Sequence, residues 1–133
     1  MSIIRHSPGT LHRTAGYAHV TVTTGRRLVF LAGQCPLDRS AALVGADDSD
    51  AQVDQVAANT LAALTAAGAT PEDVVRTVTY VVSDDNAVLA AVWDRFQGSV
   101  IGPAFTSAAT LLGVARLGYR GQLVELDVTA ALP

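Results

Sequence analysis

The chain has 133 residues, half of them hydrophobic and 16% charged, with a formal net charge of −3. That length suits a single domain, residues 1–133, able to bury a core, and that balance excludes a disordered chain. All nine basic residues are Arg, so no lysine is present for Schiff-base chemistry; only Arg26-Arg27 and the region of Arg5 and Arg13 are locally basic, and no nucleic-acid partner is expected.

Cys35 is the sole cysteine, which excludes an intrachain disulfide and a cysteine-based metal cluster. The three histidines stand at 6, 12 and 19, matching neither a helical i,i+4 pair nor an HExxH motif. No metal and no other cofactor is expected. The N-terminus has no apolar segment of signal-peptide type, and no later apolar run reaches 18 residues. The expectation is a soluble, cytoplasmic protein without a membrane partner.

In chain order, the apolar run Ile3-Ile4 precedes the turn signal Pro8-Gly9, and Ala15 to Ala18 reads as a loop. His19 to Thr24 alternates β-branched residues and predicts a strand. Gly25 and Arg26 then connect it, as a hairpin, to a second strand over Arg27 to Gly33, ended by Gln34-Cys35-Pro36. Residues 37–48 read as a loop. Ser49 with Gln52 predicts a capping box for a helix carrying Val53, Val56, Leu61 and Leu64, closed by Gly68. Thr70-Pro71-Glu72-Asp73 predicts a short turn with Pro at its first helical position.

Val74 to Val82 is β-branched and aromatic and predicts a strand. Asp84 or Asp85 caps a second helix whose stripe is Val88, Leu89, Val92, Trp93 and Phe96, with Gly98 near its end. Trp93 is read as core. Ala108 to Leu117 predicts another strand, and Gly118 to Gly121 turns into a last one over Gln122 to Ala130. There Val124, Leu126, Val128 and Ala130 point one way, and Leu123, Glu125, Asp127 and Thr129 the other. The order is ββαβαββ, an α+β chain. Its strands at 28–33, 75–82 and 108–115 are apolar on both faces, while two helices cover only one face. A partner subunit is the economical cover for the other, which makes Glu125 and Asp127 candidates for an interface or a pocket in it. Solvent-facing acids of a half-exposed strand would explain the same pair.

Several strings resemble the Rid (YjgF-type) family of enamine/imine deaminases. They are Gly16-Tyr17 before the first strand, Ala32-Gly33-Gln34 with Pro36, Ala67-Gly68 before a Val-rich strand, Val114-Ala115-Arg116-Leu117, and Val124-Glu125-Leu126-Asp127. The resemblance runs from about Gly16 to Ala130. It implies a chorismate-mutase-like subunit, with a mixed sheet of about six strands packed on one face by two helices. It further implies a homotrimer with small-molecule pockets between subunits.

The resemblance places Tyr17 and Glu125 as retained catalytic groups, with Gly33, Gln34 and Thr110 beside the substrate. The family's carboxylate-clamping Arg falls on Phe105 or, in the register that keeps the spacing to Glu125, on Ala109. Its pocket Asn falls on Ala90. Arg116, which matches a different family Arg, is a further substrate-binding candidate, and Arg120 in the last turn could approach a neighbouring subunit; a solvated surface Arg is the favoured reading of both. What this implies is hydrolytic deamination of reactive enamine/imine metabolites, with Glu125 as proton-transfer group, on a substrate lacking the usual carboxylate clamp. A non-catalytic trimeric metabolite-binding module, or an enzyme of another reaction type on the same fold, are the alternatives. If Glu125 is buried, its expected donors are Tyr17 and the backbone near Gly33 or Thr110. Asp127 is expected to be solvated or paired with an Arg, and Cys35 to be a structural thiol rather than a nucleophile.

Overall fold

The computed structural model describes residues 1–133. Its strands are β1 (Ile3–His6), β2 (Val20–Thr23), β3 (Arg27–Phe30), β4 (Val74–Val82), β5 (Ala108–Val114) and β6 (Val124–Leu132). Two helices, α1 (Ser49–Ala66) and α2 (Asn86–Gln97), and two 3-10 turns, Pro71–Asp73 and Gly102–Thr106, complete it. The fold is the expected α+β one. β3, β6, β4 and β5 form one mixed sheet in that order, and β1 pairs with β2 in a separate ladder. The chain passes through α2 from β4 to its parallel neighbour β5, so β5 is an edge. The short ladder is tied to that edge where the Ala108 N–H donates to Thr21 Oγ1 at 2.8 Å and the Ala18 N–H to the Ser107 carbonyl at 3.2 Å.

The predicted hairpin between the second and third strands does not form. β2 pairs with Ile3–His6, and β3 pairs with β6. A two-residue hairpin needs positive φ at its turn; Gly25 is not among the glycines with positive φ. The third strand also ends sooner than expected, at Phe30, although isolated bonds carry it along β6 as far as Gln34. The fifth strand stops at Val114 rather than Leu117, and the last one is shifted two residues, to 124–132.

At the start of α1 the cap is Asp48, whose Oδ1 accepts from the Ala51 N–H at 3.1 Å. Ser49 is already helical and no Ser49–Gln52 box exists. Gln52, fully buried, is used elsewhere: its amide donates to the Gly45 and Gly121 carbonyls, and its oxygen accepts the Leu123 N–H at 2.7 Å. It staples α1 to the entry of β6. Gly68 follows the helix with φ +78°, the left-handed conformation that ends helices. Asp85 caps α2 through the Ala87 N–H at 2.9 Å, and Gly98 closes it.

Both helices lie on one face of the sheet. Val53, Val56 and Leu64 of α1, Val92, Trp93 and Phe96 of α2, and Val124, Leu126, Val128 and Ala130 of β6 make a single core. No helix covers the other face. Register places Phe30, Thr129, Arg76 and Ala108 side by side across it, then Asp127, Val78 and Thr110, then Glu125, Tyr80 and Leu112. Leu28 and Phe30 stand 54% and 73% exposed there, an unusual cost for large apolar side chains. No helix is long and apolar enough to cross a membrane.

Candidate functional site

Glu125 is the second residue of β6 and lies on the uncovered face, opposite Tyr80. The segment leaving β3 runs beside it, because Gln34 and Leu126 exchange backbone bonds at 2.7 and 3.1 Å. Asn59 of α1 fixes the other flank of that segment, donating to the Cys35 and Leu37 carbonyls at 3.0 and 2.9 Å. Glu125 therefore lies over Gly33. A methyl group built on Gly33 would stand 2.5 Å from Oε2, so only glycine admits the carboxylate in this position.

The donors to Glu125 differ from those expected. Its Oε1 accepts from Gln122 Nε2 at 3.0 Å and from the Cys35 thiol at 3.1 Å. Neither Tyr17 nor the backbone at Gly33 or Thr110 donates to it. Gln122 is only 3% exposed and its Nε2 also donates to the Val124 carbonyl, so this amide is held in place. Both bonds converge on Oε1, and Oε2 has no protein donor. Burial first, and then the Glu125 carboxylate through its hydrogen bond and negative charge, together push the Cys35 thiol up from 9.0 to about 11, with the Gln122 side chain acting the other way. Such a thiol stays protonated at neutral pH and is no nucleophile. Asp127 is exposed and in no ion pair, hence solvated.

Tyr17 belongs to a different place. With Ala15, Ala90, Trp93, Asp94, Ala109 and Leu111 it lines a cleft of about 440 Å³ between α2, β5 and the loop before β2. Trp93 Nε1 and Gln97 Nε2 both donate to the Ala15 carbonyl at 3.1 Å, which pins that loop to α2. The Tyr17 ring meets Trp93 edge-on at 5.9 Å, and its hydroxyl lies 3.2 Å from His12 Nε2.

Ala90 and Ala109 thus share this cleft, whereas Phe105 is fully buried, stacked on Phe96 at 5.1 Å. Thr110 faces the opposite side and accepts from Arg76 Nη2 at 3.1 Å. Gln34 folds its amide back onto the Ala32 carbonyl at 2.9 Å. Arg116 and Arg120 are exposed and outside the cleft lining.

The Glu125 cluster and the Tyr17 cleft therefore lie on opposite faces of the sheet. Ala109 pairs with Thr77, whose side chain is buried on the helix side, and Glu125 pairs with Tyr80 on the uncovered side. Gln122 and Cys35 were not singled out as partners of Glu125. Alternation along a strand tells which face a residue takes, not which side chains, three or 90 positions away, will meet it. No group of three or more His, Cys, Asp or Glu is placed to hold a metal ion.

The sequence profile of the endoribonuclease L-PSP family matches residues 9–132. A protein of unknown function of the conserved Rid family, YyfB from Yersinia pestis, is 36% identical over 99% of this chain and 100% of its own, with a TM-score of 0.88. Rv2704 from Mycobacterium tuberculosis, a member of the YjgF/YER057c/UK114 family, is 26% identical over 98% of this chain and 100% of its own, with a TM-score of 0.64. No curated protein matches the sequence. A family profile spanning almost the whole chain, together with a Rid protein that shares over a third of its residues end to end, establishes that this chain belongs to the Rid (YjgF-type, L-PSP) family.

Proposed function

We propose that this protein is a homotrimeric imine or enamine hydrolase with pockets between subunits and Glu125 as its proton-transfer group. The observation that carries the reading is the state of Glu125. One oxygen is held by Gln122 and Cys35, while the other lies over a glycine with no protein donor. An oriented carboxylate with a free oxygen can take a proton from water and return one to nitrogen. In the reaction, an iminium and water give a carbonyl compound and ammonium: a C–O bond forms, C–N breaks, and both transfers pass through one carboxyl group.

The opposite placement of Tyr17 and Glu125 supports a site shared between subunits. In one chain the sheet separates them; the β5 edge of one copy laid against the uncovered face of another would join a cleft to a foreign Glu125. The exposed Leu28 and Phe30 supply apolar surface for that contact. No arginine lines the cleft, so imines of ordinary α-amino acids should be poor substrates, slower by on the order of 10²–10⁴ for want of a bidentate carboxylate contact.

The test is Glu125→Gln, assayed on simple imines generated in situ from carboxylate-free amines. The variant should remain trimeric in light scattering and lose at least about a hundredfold in turnover. A stable monomer at micromolar concentration, or a variant as active as the parent, overturns the reading. The cleft without any arginine also fits a binding module without catalysis, for which Glu125→Gln would be silent. The family profile carries the name endoribonuclease. RNA cleavage gains little here: net charge is −3, and Arg5, Arg27, Arg76 and Arg95 are all engaged within the chain.

A further inference from the structure

We infer that the cleft between α2 and β5 binds a small apolar or aromatic amine, or the corresponding iminium, by its cationic nitrogen, with Asp94 as the counter-charge. This deepens the hydrolase reading by naming a substrate class, and rests on that reading only in taking the cleft as the substrate-bearing half-site.

The cleft holds about 440 Å³, within the roughly 300–1,000 Å³ of small-ligand sites. Its lining residues are hydrophobic with one exception, Asp94, and none is basic. Ala90 and Ala109 offer methyl groups to its walls and no polar head. Tyr17 and Trp93 contribute two aromatic rings, whose π systems attract a cation and repel an anion. The Tyr17 hydroxyl has His12 as its neighbour, at 3.2 Å.

What makes Asp94 available is the direction of the next residue. Arg95 turns away to α1, where its Nε and Nη2 bind both oxygens of Asp54 at 3.0 and 2.8 Å, and its Nη1 lies 3.6 Å from Asp50. These are the ion pairs of the chain, and Asp94 is in neither. No hydrogen bond occupies its carboxylate. An unpaired negative charge on the rim of an apolar, aromatic cleft complements a ligand with an apolar body and one positive end. An anionic ligand of the same shape would meet the carboxylate and the rings with the wrong sign.

The experiment compares three probes of nearly equal size by NMR titration of the intact protein: 2-phenylethylamine, phenylacetate and 2-phenylethanol. The amine should bind best, roughly tenfold ahead of phenylacetate. Asp94→Asn should weaken the amine roughly three- to tenfold and leave the alcohol unchanged. Asp94→Arg should reverse the order of amine and acid. Asp94 is exposed, so neither change disturbs the core, and an unchanged oligomeric state and circular dichroism check this. Equal or tighter binding of phenylacetate, an Asp94→Asn variant with the parental amine-to-alcohol ratio, or no binding of any probe overturns the inference. Hydrolysis is scored separately. Amine preference without turnover upholds this inference and sinks the hydrolase; turnover without charge preference does the reverse.

Discussion

Cys35 offers a direct measure of the Glu125 geometry. Burial is the largest cause holding its thiol at about 11, and the Glu125 carboxylate adds to it, while the Gln122 amide acts the other way. A thiol whose folded pKa lies above its unfolded value stabilises the fold fully below pH 9.0, and that share is lost as pH rises to about 11, because the unfolded chain releases its proton first. Because water screens a thiol that is only partly buried, the share at stake is on the order of 1 kcal/mol. Glu125→Gln removes the charge but not the burial, so the thiol should then titrate between those two values. Alkylation by iodoacetamide as a function of pH reads the thiolate of the only cysteine and nothing else of that kind. The parent should show a midpoint near 11 and the variant a lower one. A parental midpoint near 9.0, or the same midpoint in both proteins, would refute the Cys35–Glu125 contact.

Gly33→Ala places a methyl 2.5 Å from Oε2 and 2.9 Å from Cδ of Glu125; the carboxylate must swing away, costing about 1 kcal/mol in urea melts and lowering the alkylation midpoint, and an unmoved midpoint counts against the placement. Gln52→Met keeps the volume but strips the Leu123 N–H and the Gly45 and Gly121 carbonyls of their partner. The expected loss is roughly 2–4 kcal/mol in thermal or denaturant unfolding, and a loss below about 0.5 kcal/mol would show the staple to be replaceable by water.

Much of the framework was legible because its signals are local. Val74 to Val82 forms the strand its β-branched run predicts, Asp85 caps α2, and Val124, Leu126, Val128 and Ala130 all enter the core. Strand partners were harder, since pairing is decided by residues far apart in sequence. Nothing near Gly25 reveals that Ile3–His6 will claim β2, or that the C-terminal strand will claim β3. The cap of α1 missed by one residue, because Asp48 and Ser49 are both good N-caps and the buried amide of Gln52 had a better use across the domain. The strand pattern placed Glu125 on its correct face and left its partners unread.

Those partners change what the carboxylate means. The expectation was of an acid that needs donors from Tyr17 or a neighbouring backbone to survive burial. Within one chain it already has two, and both fall on the same oxygen. Saturating both oxygens would have made Glu125 a structural strut. Leaving both free on an exposed strand would have made it an ordinary solvated acid, as Asp127 is. Holding Oε1 and sparing Oε2 fixes the orientation of the group while keeping the second oxygen open on the face that lacks a cover. A second copy laid on that face would exclude water from the open oxygen without having to satisfy the held one.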